Sequence, residues 1–197
     1  MSSGDDHRST RAILESIEAG MRRIGHTACI DLLQEGLAPS AVPAILGSAN
    51  LPVTRDLVEF YAWRNGAATG TAARIGDMYF LPGFYVQSLS DAVLDYRTFL
   101  RDERWRRGWL PILADGGGDF LVADLSVEGI SPIHHFRIEE VEHPVEYSSL
   151  RDMLRTIDAA YRSNVMYVAP DGFLDMRDDA YAEVAAALNP EIAWWKS

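Results

Sequence analysis

The chain has 197 residues, with a hydrophobic fraction of 48%, a charged fraction of 24% and a formal net charge of −11. That length fits one ordinary domain, which buries roughly 70% of the surface its unfolded form exposes and needs neither a metal nor a disulfide to complete its core. An acidic surface repels nucleic-acid phosphate and attracts basic proteins, and no run approaches the roughly 20 apolar residues that span a bilayer.

Residues 1–9 are polar, carry Asp5, Asp6, His7 and Arg8, and read as a disordered tail without the apolar stretch of a secretory signal. Helical spacing then runs from Thr10 to Glu35, with Ile13, Ile17, Met21, Ile24, Ala28 and Leu32 on one stripe. Gly20 and Gly25 weaken that segment, and a close helix contact or a break near Gly25 would explain them. Cys29, the single cysteine, lies beside the stripe as a structural thiol. With no second thiol to pair it, the chain suits a reducing compartment and reads as cytoplasmic.

Residues 36–52 hold Pro39, Pro43, Gly47 and Pro52 and form a connector with one short helical turn around Ala41–Leu46. Thr54 caps a second helix, Asp56 suits its first turn, Leu57, Phe60, Tyr61 and Arg64 share a face, and Asn65-Gly66 terminates it. Residues 67–76 are small and form a loop. Short strands follow at Met78–Leu81 and around Tyr85-Val86, joined by the Pro82-Gly83 turn. Ser88 or Ser90 caps a helix to about Arg104, with Leu89, Val93, Tyr96 and Leu100 inward. Arg101 to Arg107 holds four arginines and two acids beside Trp105, a basic patch at a helix end.

Trp109–Ala114 and Phe120–Leu125 read as strands, and Ser131–Ile138 as a third, with His134, Phe136 and Ile138 on one face and Ile133, His135 and Arg137 on the other. Ser148 or Ser149 caps a helix to about Arg162, with Leu150, Met153, Leu154, Ile157 and Tyr161 inward. Pro170-Asp171-Gly172 is a turn. Asp179–Leu188 is a last, alanine-rich helix that Asn189-Pro190 stops. Trp194 and Trp195 pack back onto the domain.

The run Asp115-Gly116-Gly117-Gly118-Asp119, with Asp124 following on the strand, is the most distinctive local feature. Clustered carboxylates suit a hard cation, but the spacing is not that of a calcium loop, and the acids and missing Gly-Lys-Ser/Thr ending exclude a phosphate loop. It reads as a hairpin turn whose aspartates bond to turn amides, Asp119 among them. His134 and His135 are adjacent on a strand, point to opposite faces and cannot chelate one ion together. Adding His143 and Glu142 gives no recognised ligand spacing. Cys29 and the serines show no nucleophile motif. No metal and no cofactor is expected.

Two segments together carry a resemblance. Leu51-Pro52 through Phe60, Tyr61, Asn65 and Gly66 resembles the Leu-Pro, amphipathic helix, Asn-Gly signature of the SUKH superfamily, which includes fungal cell-wall regulators of the SMI/KNR type. Trp109 through Asp115, Gly116, Gly117, Gly118, Asp119 and Asp124 is similar to its second signature, a strand entering a glycine-rich Gly-Asp turn. The resemblance covers roughly residues 10–163, with 164–197 as a C-terminal extension packed on the same domain. It implies an α+β fold, a mostly antiparallel sheet with helices packed against it, here with a long N-terminal helix and a C-terminal helical extension. It also implies no catalysis and a protein-binding role, as an immunity protein against a toxin or as a regulatory module. With the net charge, this points to a basic toxin domain as partner, with no nucleic acid or membrane, the chain itself a monomer or weak homodimer. Two alternatives stay open: a metal-dependent hydrolase using Asp115, Asp119, Asp124 and a histidine, and a homo-oligomer joined through Trp194, Trp195 and the last helix.

Overall fold

A computed structural model describes residues 8–68 and 74–196. Most of the expected N-terminal tail and the centre of the 67–76 loop therefore lie outside the described residues. The first helix, α1 (Thr10–Ile24), is capped by Ser9, whose hydroxyl accepts the Ala12 amide. Its stripe of Ile13, Leu14, Ile17 and Met21 is fully buried. The helix does not continue to Glu35. Gly25 adopts a left-handed conformation (φ 83°), its amide and that of His26 close on Arg22 and Met21, and the chain turns. The remainder becomes α2 (Thr27–Leu32) and strand β1 (Leu33–Glu35). Both explanations for the glycines apply. A Cβ on Gly20 would lie 2.8 Å from Cβ of Tyr161, on the helix that α1 packs against.

The connector turn forms as α3 (Ala41–Gly47), and Thr54 caps α4 (Arg55–Trp63) by accepting the Leu57 amide at 3.3 Å. Here the structure departs from the expected Asn65-Gly66 terminator. The helix ends at Trp63, and Arg64–Ala67 form β2, paired antiparallel with β1. Gly66 does take a positive φ of 77°, but inside a strand.

After a 3-10 turn at Ile75–Met78, the chain builds a six-stranded antiparallel sheet in sequential order: β3 (Tyr79–Leu81), β4 (Phe84–Val86), β5 (Trp109–Ala114), β6 (Phe120–Asp124), β7 (Ile133–Phe136) and β8 (Val145–Tyr147). Strands β5 and β6 are buried along their whole length, which is why they read as unbroken apolar runs. Between β4 and β5 lies α5 (Leu89–Phe99), capped by Ser88. It ends five residues before Arg104, because Asp102 accepts the Arg104 amide at 2.9 Å and bends the chain. Leu100 is consequently exposed rather than inward. The turn buries Trp105, whose ring meets Phe99, Trp109, Phe120 and Phe136.

Ser149 caps α6 (Leu150–Arg162), whose expected inward stripe is entirely buried. The turn at Pro170–Gly172 joins two further strands, β9 (Met166–Val168) and β10 (Leu174–Met176), that the sequence pattern does not show. Helix α7 (Asp178–Leu188) and a 3-10 turn (Ala193–Lys196) complete the described chain. The fold is α+β, antiparallel throughout. One face of the six-stranded sheet carries Phe120 and Phe136 toward Phe99 and Trp105. The other carries Leu121, His135 and Tyr147 toward α7 and Trp195. No helix among the described residues is long and apolar enough to cross a membrane.

Candidate functional site

The glycine-rich turn is held by Asp115. Its Oδ1 accepts three main-chain amides, Gly117 at 2.7 Å, Gly118 at 3.0 Å and Asp119 at 2.9 Å. Asp119 does not hold the turn as expected. Its Oδ1 accepts the Ile138 amide at 2.8 Å and ties the turn to the chain leaving β7. Gly116 and Gly118 have φ of 84° and 115°, and a Cβ at either would press on Ile75 or Ile138 at 2.7 Å. Asp124 lies at the far end of β6, where Oδ1 accepts the amide and hydroxyl of Ser126 at 2.9 and 2.6 Å. The three carboxylates are thus committed separately. Among the described residues, no group of three His, Cys, Asp or Glu side chains is arranged to hold a metal.

The helix signature is equally structural. Leu51, Phe60 and Tyr61 are buried, while Pro52 is exposed. Phe60 and Tyr61 meet edge to face at 5.1 Å between ring centroids. Asn65 Oδ1 accepts the Leu89 amide at 3.0 Å, supporting the start of α5. Gly66 backs onto the same place, since a Cβ there would come within 2.2 Å of the Ser88 nitrogen. The two signatures therefore meet across β4. Its outgoing end, Gln87-Ser88, receives Gly66, and its body pairs Tyr85 with Ala114 and Val86 with Leu113 of β5.

Trp109 is buried beneath Arg106, whose guanidinium lies 5.5 Å over the ring. His134 stacks on it at 4.8 Å, and His143 stacks on Phe136 at 4.4 Å. Burial lowers the pKa of both histidines, and Arg104 adds to the effect at His143. Arg104 itself bridges to Asp102, holding that carboxyl down at about 2, and donates to the carbonyls of Ile138 and Glu140. The basic patch is thus partly spent on fastening the end of the sheet. Cys29 is buried, which pushes its thiol up to about 12 and leaves it inert as a nucleophile.

A cleft of about 320 Å³ opens on the opposite sheet face, between Phe84, Leu121 and His135 below and Met176, Tyr181 and Trp195 above. His135, on the face opposite His134, shares its Nδ1 proton with Glu146 Oε1 at 2.9 Å. The register explains why Glu146 reaches it. Ile133 pairs with Tyr147 and His134 with Val145, so Glu146 is the extra residue of a bulge. A bulge re-aims one side chain, and the adjacent Glu146 and Tyr147 both line the cleft. Trp195 closes the wall by donating its indole N–H to the Glu146 carbonyl. Glu146, Tyr181 and this role for His135 are not legible in the sequence. No local signal marks Glu146, because a strand of three residues is too short to show alternation.

These features define an α+β scaffold whose two signature segments meet across β4 and leave the far sheet face open to a cleft. The chain belongs to the SMI1 / KNR4 family (SUKH-1), whose profile matches residues 48–156, 109 of the 197. The matched stretch holds both signature segments and ends inside α6. No match is found among curated proteins.

Proposed function

We propose that this chain is a non-enzymatic protein-binding module that recognises a basic protein, acting as an immunity-type protein that neutralises a toxin or as a regulatory interaction partner. The observation that carries this reading is a formal net charge of −11 on a member of the SMI1 / KNR4 family. Such a charge steers a basic partner into encounter and disfavours acidic ones. The commitment of Asp115, Asp119 and Asp124 to main-chain and serine donors is consistent with a scaffold role for the signatures. A cytoplasmic location fits the single buried thiol.

The test is co-expression with the product of the adjacent gene, followed by co-purification and a growth assay. The expected result is a stable complex, weakened by salt, and protection of the host from that product. Absence of both association and protection removes the proposal.

A further inference from the structure

The cleft on the far sheet face takes only Leu121 from the two signature segments, and its polar groups are unusual for an apolar surface. A carboxylate only accepts hydrogen bonds, so the 2.9 Å contact with Glu146 fixes the proton of His135 on Nδ1. His135 Nε2 is buried and has no hydrogen-bond partner among the described residues. The Glu146 side chain is only 9% exposed, so the interior of the cleft holds a negative charge. Around these groups stand the rings of Phe84, Tyr147, Tyr181 and Trp195.

We infer that this cleft takes up an arginine side chain presented by the basic protein partner, an inference that rests on the proposed binding function. The volume is at the lower end of the range of pockets that enclose small ligands, which suits one side chain. A guanidinium is planar, carries donors only and stacks on aromatic faces, so one group meets both the Glu146 carboxylate and the ring walls. A purely apolar side chain leaves the Glu146 carboxylate unmet, and an anion meets Glu146 and the rim carboxylate of Asp178, while Arg137, the cation of the lining, is engaged over the Trp194 ring. Lysine offers a compact, strongly hydrated charge that stacks poorly. The rim already uses the favoured pairing, because the Arg137 guanidinium lies 4.9 Å over the Trp194 ring.

The full chain should be titrated with the blocked peptide acetyl-Gly-Arg-Gly-amide and its lysine and norleucine counterparts, following the Trp195 indole and His135 imidazole signals by NMR. The arginine peptide should give saturable shifts, with lysine at least about tenfold weaker and norleucine silent. Equal binding of norleucine, or no shift with any peptide, overturns the inference. Glu146→Gln should lose the response. Because that change touches the β8 bulge, Ala182→Arg, which fills the cleft from α7 and leaves His135 and Glu146 in place, should lose it too at an unchanged melting temperature. Should Ala182→Arg capture the protein partner as well as the parent chain does, the cleft is not the docking site, although the binding function stands. Should the parent capture no partner yet saturate with the arginine peptide, the binding function falls and the cleft remains an arginine site.

Discussion

The hydroxyl groups of Tyr147 and Tyr181 meet at 2.7 Å in the interior, joining the edge strand β8 to helix α7. Both side chains are buried, and burial raises the pKa of each phenol, so the pair is neutral and shares one hydrogen bond. Trp195 packs against both rings. Attachment of α7 and the chain end to the sheet therefore runs through these two tyrosines.

Removing one hydroxyl strands the other. Tyr181→Phe should cost about 1–3 kcal/mol, the desolvation penalty of a buried polar group left unpaired. Adding Tyr147→Phe should cost little more, because the stranded group goes with it. Urea denaturation of the two single variants and the double variant measures the coupling, and simple additivity would show the hydroxyls to be independent.

Asp115 and Asp119 should differ in what their loss does. Asp115→Ala releases three amides of the turn, and a loss of about 2 kcal/mol is expected. Asp119→Ala releases one, with about 1 kcal/mol expected. Denaturant midpoints compare them. A larger effect at Asp119 would mean that the tie to Ile138, not the turn, is the critical fastening.

Gly66 and Gly25 share a left-handed backbone but not their surroundings. A Cβ at Gly25 meets nothing within 4 Å, whereas one at Gly66 strikes the main chain of Gln87 and Ser88. Gly25→Ala should cost about 1–2 kcal/mol, the backbone penalty alone. Gly66→Ala adds displacement of the α5 start and should cost at least about 1 kcal/mol more. Thermal melting of the two variants checks the order.

Acidification should destabilise the protein through histidines that folding partly or wholly removes from water. Burial is the first cause lowering the pKa of His26, His134 and His143 below the ordinary value of 6.5. As pH falls through 6.5 the unfolded chain binds protons that the folded chain resists, so stability present above that pH is lost toward the lower folded values. Asp95, raised above 3.8 by burial, acts with opposite sign in a more acidic window. The urea midpoint should drop between about pH 7.5 and about pH 5.5, and less steeply in His134→Gln. A midpoint that holds or rises over that interval contradicts the assignment.

The features legible in the sequence are those written locally. The hydroxyl caps at Thr54, Ser88 and Ser149, the stripe from Leu150 to Tyr161 and the apolar runs of β5 and β6 all formed where their residues indicated. Leu33–Glu35 looked helical because leucine, glutamine and glutamate favour helix, but pairing with Arg64 and Ala67 overrides propensity. Strands β8, β9 and β10 have three residues each, too few for alternation to show. The cleft was hidden for a related reason. Glu146 reaches His135 through a bulge, and Tyr181 and Trp195 arrive from distant parts of the chain.

The cleft's floor and its upper wall come from different stretches of sequence. Phe84, Leu121, His135 and Glu146 lie within the family match, and Met176, Tyr181, Ala182 and Trp195 lie beyond it. Exchange of Met176 or Ala182 reshapes the opening without breaking a rung of the six-stranded ladder. Changes in β10, α7 and the final 3-10 turn can thus vary the shape of the cleft while the sheet beneath it is inherited unchanged.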